Sequence, residues 1–124
     1  MVEFKKIIRE EDAKTFSELS GDFNPLHIDK DFGKKSSFGG NIVQGMLLGS
    51  FFSALVGTHC PGEKCLYISQ TLNFKKPVYF GDEILIRGTV LRKIGSTKMV
   101  VFRTDIIKGE EVVVDGEAIV KVLE

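Results

Sequence analysis

The feature that most constrains this chain is a change in the spacing of its apolar residues near residue 64. Before it, residues 42–58 form one long apolar segment whose large side chains cover most of a helical wheel. Small residues such as Gly49 and Ser53 stand among them and allow other backbone to come close. After residue 64, apolar and polar residues alternate with the two-residue period of strands. The pattern predicts a buried helix of about four turns against an antiparallel sheet, an α+β fold.

Four strands joined by short turns are predicted in the second half of the chain. The first covers about 64–74 and ends before Pro77. The remaining strands contain the alternating residues 84–90, 100–106 and 112–123. Because the connections between successive strands are short, the pattern is typical of an antiparallel meander.

The first part of the chain is predicted to contain one short strand and two helices. The strand covers about 4–8, and an amphipathic helix covers 10–20 and stops at Gly21. Its buried face is expected to consist of Ala13, Phe16 and Leu19, which are three residues apart. A second short helix is expected over 29–35, with Asp29 as its N-cap.

Composition and charge narrow the classes of function. A chain of 124 residues, 43% hydrophobic and 27% charged, fits a single globular domain over 1–124. Lys and Arg number 17, as do Asp and Glu, so no net field attracts nucleic acid or an anionic membrane. No apolar run has the length of a bilayer crossing or the form of a signal peptide. The expectation is a cytoplasmic protein that binds neither nucleic acid nor membrane.

The two cysteines, Cys60 and Cys65, lie in one predicted loop. Free thiols are expected there, because disulfides accompany secretion and no secretion signal is visible. Together with His59 they resemble part of a zinc site, but three ligands without a second cluster are a weak signal. No metal is therefore expected.

The strongest candidate for a functional site is the segment 20–27, Ser-Gly-Asp-Phe-Asn-Pro-Leu-His. Its Gly, Asn and Pro predict a rigid turn, and rigid loops commonly hold functional side chains. Asp22 and His27 supply a carboxylate and an imidazole, which together can hold and activate a water molecule. Taken singly, each has a plainer interpretation, since Asp often accepts backbone N–H bonds in turns and His is often structural.

The chain resembles the MaoC-type (R)-specific enoyl-CoA hydratases, a hotdog-fold family, over nearly its whole length. The most specific match is the Asp-x-Asn-Pro-x-His core of residues 16–27, FSELSGDFNPLH, followed by residues 38–46, FGGNIVQGM. Shorter matches cover 52–55, 67–74 and 77–82. The resemblance implies a hotdog fold, in which an antiparallel sheet wraps around a long central helix.

The resemblance also implies a set of roles. Asp22 and His27 would hold the water that adds to a trans-2-enoyl thioester, and the reverse reaction would dehydrate a (3R)-hydroxyacyl thioester. Gly45 matches the glycine whose backbone N–H binds the thioester oxygen at the start of the central helix. Ser53 matches a serine that supports the acidic residue by hydrogen bonding. Asn24 is expected to shape the loop, without a chemical role.

The same resemblance sets expectations for ligands and partners. The substrate would be a thioester of coenzyme A or of acyl carrier protein, so coenzyme A is part of the substrate. Neither a metal nor a bound redox cofactor is expected. A homodimer is expected, because a single sheet around one helix leaves edges that a second copy can cover.

One residue departs from the family pattern. Many relatives have His before the glycine, where this chain has Gln44. Since the expected donor is main chain, the change need not abolish catalysis, although it can alter how the loop is tied down. Two alternatives stay open: a hotdog thioesterase, and a non-catalytic module that binds acyl thioesters.

Overall fold

The computed structural model describes residues 1–59 and 61–123, in which one helix packs against a six-stranded antiparallel sheet. This helix, Gly45–Ala54, continues without a break into a π-helical segment, Leu55–His59. The elements in chain order are β1 Val2–Ile7, α1 Glu10–Ser20, α2 Pro25–Ile28, α3 Lys30–Lys35, α4 Gly45–Ala54, β2 Cys65–Gln70, β3 Asn73–Phe74, β4 Glu83–Ile94, β5 Met99–Lys108 and β6 Glu111–Val122.

The sheet has the strand order β1-β4-β5-β6-β2, and β3 also pairs with β6. The predicted meander is confirmed for β4, β5 and β6. The prediction of one continuous strand over 64–74 is wrong, because the strand breaks at Thr71 and Leu72. Both halves then pair with β6 instead of β4. At the break, a side chain at Gly116 would overlap the carbonyl oxygen of Thr71, so the backbone crosses only because residue 116 is glycine.

The core lies between α4 and the sheet. Phe52 and Leu55 of the helical segment are at most 1% exposed, as are Ile86 and Ile106 of the sheet. The prediction that the helix is buried on all sides is wrong for the single chain. Its other face is open, with Met46 60% exposed and Ser53 also exposed.

The helix also begins three residues later than the predicted residue 42. Ile42 forms an isolated bridge with Tyr79, and the N–H of Val43 donates to the carbonyl of Val78 at 2.8 Å. These contacts hold the chain extended before Gly45, because the N–H of Val43 already has a sheet-type partner in Val78.

Helix α1 has the predicted bounds and ends at Gly21 in the left-handed conformation, with φ of 82°. Of its predicted buried face, Ala13 is buried and Phe16 is half-buried, but Leu19 is 86% exposed. Ser17 is buried in its place. Ala13 and Ser17 are four residues apart, and this spacing matches the 3.6-residue repeat of a helix better than the three-residue spacing of the predicted face does. The prediction for α3 is confirmed, because the Asp29 carboxylate caps it by accepting from the N–H groups of Asp31 and Phe32.

Three further sequence predictions concern the cysteines, a metal site and a membrane-spanning helix. Cys60 lies outside the described residues, so neither the thiol pair nor the weak zinc signal is tested there. Elsewhere in the described chain, no three His, Cys, Asp or Glu side chains are grouped so that they could bind a metal ion. None of the helices in that part is long and apolar enough to cross a bilayer.

Candidate active site

The loop after α1 is held by its own polar side chains. The Asp22 carboxylate accepts from the N–H of Asn24 at 3.1 Å, and the Asp22 N–H donates to the hydroxyl of Ser20 at 3.1 Å. Asn24 then caps α2, because its side-chain oxygen accepts from the N–H of Leu26 at 3.0 Å and Pro25 follows it. Asn24 thus joins the loop to α2, while Asp22 stays exposed to solvent.

His27 stands on α2 and is oriented from outside the loop. Its Nδ1 lies 2.8 Å from the carbonyl oxygen of Ile42, and the residue is half-buried. Because a carbonyl can only accept, Nδ1 carries the hydrogen of this bond. In the neutral ring Nε2 therefore has a free lone pair, which can accept a proton from water.

Gly45 is the first residue of α4. Its N–H has no acceptor within the helix, and the helix dipole adds partial positive charge there. The ring of Phe74 lies against it, since a Cβ at position 45 would be 3.0 Å from the ring atom Cε1. A backbone donor on a residue with no side chain of its own suits an incoming carbonyl oxygen.

His27 and Gly45 line the same open cleft, of about 380 Å³. Its walls are mainly apolar and come from four separate parts of the chain. They include Phe38, Val43, Leu48, Phe74 and Val78. The cleft thus combines a proton acceptor and a carbonyl-binding donor with apolar walls that fit an acyl chain.

Two further predicted site residues lie elsewhere. Asp22 is not part of the cleft wall, and Ser53 stands on the open face of α4. Within residues 1–59 and 61–123, Ser53 makes no hydrogen bond to Asp22. The expected support of Asp22 by Ser53 is therefore not formed inside one chain, and the roles of both residues stay predictions.

Two lysines at the cleft have no role assigned from the sequence, because contact with the phosphates of coenzyme A and a solvated strand face or turn explain them equally well. Lys75 lies 3.0 Å from the Asp115 carboxylate, and Lys76 lies 2.6 Å from that of Glu111. The bond from Lys75, and secondly that from Asn73, lowers the pKa of Asp115 below its ordinary value. Lys76 likewise lowers the pKa of Glu111. Both ion pairs tie the cleft wall to β6.

The MaoC like domain model matches residues 2–112 of the chain. The chain belongs to the MaoC-like domain family. Two relatives are similar over most of this MaoC-like chain. The (R)-specific enoyl-CoA hydratase of Rhodospirillum rubrum is 40% identical over 117 residues, 94% of this chain and 81% of that protein. The mitochondrial 3-hydroxyacyl-[acyl-carrier-protein] dehydratase of Arabidopsis thaliana is 41% identical over 117 residues, 91% of this chain and 69% of that protein.

A solved structure agrees with the family assignment. The (R)-hydratase of A. caviae superposes with a TM-score of 0.95 and 38% sequence identity, covering 98% of this chain and 92% of that one. The expected hotdog fold of this MaoC-like protein is thereby confirmed, with its antiparallel sheet and central helix α4.

Proposed function

We propose that this MaoC-like protein is an (R)-specific enoyl-CoA hydratase, which adds water reversibly to a trans-2-enoyl thioester. One observation carries the proposal: the oriented imidazole of His27 and the N–H of Gly45 line one apolar cleft. The hydratase and dehydratase relatives support the same reaction class.

His27 and Asp22 are proposed to hold the attacking water. Neutral His27 offers the Nε2 lone pair, and the carboxylate of Asp22 offers an oxygen, so both accept hydrogens of the same water. The water oxygen then bonds to the β-carbon while one of these two groups takes a proton. That group returns the proton to the α-carbon, which completes the addition and regenerates the site.

Gly45 is proposed to stabilise the charge that this attack creates. As the water bonds to the β-carbon, the electrons of the double bond move to the thioester and form an enolate oxygen. The N–H of Gly45, at the positive end of α4, donates to that oxygen more strongly as its charge grows. The reaction as written requires neither a metal ion nor a bound redox cofactor.

The acyl group is proposed to lie among the apolar side chains of the cleft. Phe38, Leu48 and Phe74 can cover it and keep bulk water away from the enolate. The carrier is a thioester of coenzyme A or of acyl carrier protein, the two kinds of substrate that the relatives' names contain. A cytoplasmic location, with neither nucleic acid nor membrane as a partner, completes the proposal.

We further propose that the protein acts as a homodimer. The open face of α4 exposes Met46, and β2 is an outer strand of the sheet with Leu66 51% and Ile68 46% exposed. A second copy can cover both, because an outer strand offers unpaired N–H and C=O groups to another chain. It would also bring new neighbours to Ser53 and Asp22, which do not meet within one chain.

The proposal is tested by following the absorbance of crotonyl-CoA and by chiral analysis of the product. We expect loss of the enoyl absorbance and formation of (3R)-hydroxybutyryl-CoA. Asp22→Asn and His27→Gln each remove one proton acceptor, so each is expected to lower kcat by about 100- to 10,000-fold.

Asp31→Asn is the matched control, since Asp31 is an exposed acid on α3. It is expected to keep wild-type activity. Release of free coenzyme A thiol without hydration would instead identify a thioesterase. Wild-type turnover in the Asp22 and His27 variants would contradict their proposed roles.

A further inference from the structure

Gln44 is buried between α1 and the start of α4. It is 1% exposed, although its side chain is polar. Its Nε2 lies 3.1 Å from the carbonyl oxygen of Ala13 and 3.3 Å from the hydroxyl of Ser17, both on α1. Ser17 is also 1% exposed, so the contact excludes solvent. One side chain therefore links two elements that are 27 residues or more apart.

The orientation of this amide is set by its partners. The carbonyl of Ala13 can only accept, so the nitrogen of Gln44 must face it. Its oxygen, Oε1, is then buried with no hydrogen-bond partner among the described residues. A buried acceptor without a partner costs free energy of folding. Stability of the fold therefore does not explain why an amide side chain stands at position 44. The link to α1 does, because it uses both N–H donors of the amide.

The link joins the two halves of the candidate site. Helix α1 leads directly into Asp22, and Gln44 directly precedes Gly45. A second link runs parallel to it, from the imidazole of His27 to the carbonyl of Ile42. Residues 42–45 are therefore tied at two points to the segment that carries the proposed water-holding groups.

We propose that Gln44 is a positioning residue, which fixes the start of α4 against α1 and so sets the place of the Gly45 N–H relative to the proton-transfer groups. This inference rests on the proposed function. Positioning of this kind acts chiefly on the transition state, because the oxyanion and the attacking water must both be aligned there. Gln44 itself is not part of the cleft wall.

The test compares kcat and KM for crotonyl-CoA in variants at position 44. Gln44→Met has a similar length and no donor, and is expected to lower kcat by about 10- to 100-fold. KM is expected to change less than about threefold, since ground-state contacts in the cleft are kept. Gln44→His supplies an N–H that can donate to Ala13, and is expected to recover most of the lost kcat.

Val120→Ala is the control for a loss of stability alone. Val120 is 0% exposed on β6 and is not part of the cleft wall. It is expected to lower the melting temperature and to keep kcat within about twofold, because no atom of the site moves. Ser17→Ala removes one of the two acceptors and is expected to lower kcat less than Gln44→Met does. Ser17→Ala and Gln44→His also decide the matter if Gln44→Met does not fold.

Amide hydrogen exchange provides a readout that does not depend on turnover. Exchange within residues 13–23 and 42–47 is expected to accelerate in Gln44→Met and not in Val120→Ala. The inference is overturned if Gln44→Met keeps kcat within about twofold of wild type, or if Val120→Ala loses as much. An inactive wild type would instead contradict the proposed function. Unchanged amide exchange in Gln44→Met would then contradict the positioning role of Gln44 as well.

Discussion

Two regions of this protein are held together by different forces. The sheet core is held by burial, with Ile86, Ile106 and Val114 all 0% exposed. The segment of residues 21–44, which lies between α1 and α4 and is here called the connecting segment, is held by side chains that bond to backbone. The side-chain amide of Asn41, for example, donates to the carbonyls of Leu26 at 2.9 Å and Asp29 at 2.8 Å.

The sheet core chiefly determines the stability of the fold, whereas the connecting segment chiefly determines where the groups of the candidate site lie. Apolar burial is non-directional and roughly proportional to area, so a core residue contributes to stability without fixing any one atom in place. A hydrogen bond adds less net stability but requires a particular distance and angle. The connecting segment bears Asp22 and His27, so its few directional contacts decide where those groups stand.

The largest expected effect is on stability and comes from the core. Phe102→Ala removes a side chain that is 2% exposed on β5, in a cluster separate from the cleft wall. We expect the free energy of unfolding to fall by about 3–5 kcal/mol, measured by urea denaturation. Activity per folded molecule should stay near wild type at low temperature. A large loss of kcat in fully folded protein would break the separation between the two regions.

A smaller effect, on activity, is expected from a matched pair of glycines on α4. A Cβ at Gly45 would lie 3.0 Å from the ring of Phe74, and one at Gly49 would lie 3.0 Å from Leu72. Of these two glycines, Gly45 lines the cleft and Gly49 does not. Gly45→Ala is expected to lower kcat/KM about tenfold or more, because a methyl group displaces the thioester from the N–H.

Gly49→Ala should strain its neighbour to a similar degree and leave kcat/KM within about twofold of wild type. The comparison uses initial rates with crotonyl-CoA and melting temperatures of both variants. Equal losses of activity at the two positions would show that crowding of the helix, and not the cleft, is what matters.

The smallest effect is expected from an ion pair at the cleft. Lys75 lowers the pKa of Asp115 below its ordinary value of 3.8. A lowered pKa stabilises the fold above 3.8, and this stability is lost as pH falls through the lower folded value. Asp115→Asn should therefore reduce the free energy of unfolding at neutral pH by less than about 1 kcal/mol, since solvent screens the pair.

Urea denaturation at neutral pH and well below pH 3.8 checks this expectation. The difference in the free energy of unfolding between wild type and Asp115→Asn should become smaller in acid, because residue 115 is then uncharged in both proteins. Glu18→Gln, at an exposed acid on α1, is the matched control for the removal of one negative charge. A difference that stays constant between the two conditions would rule out the ion pair as its source.

The sequence predicted the elements that local chemistry controls. The bounds of α1, its glycine stop and the Asp29 cap of α3 all depend on residues within one or two turns of each other. The family resemblance carried by residues 16–27 and 38–46 is confirmed by the family match and the solved structure. Each of these two motifs is a short stretch that can be recognised without knowledge of the fold.

Predictions that needed distant partners failed or stayed open. Ser17 is buried instead of Leu19 because Gln44 reaches it from 27 residues away. The break in the first predicted strand depends on Gly116, more than 40 residues further along the chain. The spacing of apolar residues within a segment does not show which distant residue contacts it, so these contacts could not be predicted from the local sequence.

The sequence by itself therefore determined the class of fold and the family, and it supplied the candidate site residues, because each follows from short-range patterns. Only the tertiary structure decided which of these residues meet. It placed His27 and Gly45 on one cleft, left Ser53 on an open helix face and buried Gln44 between α1 and α4. The physical reason is that burial and hydrogen bonding between distant segments are settled by the whole packed arrangement, which no single stretch of sequence encodes.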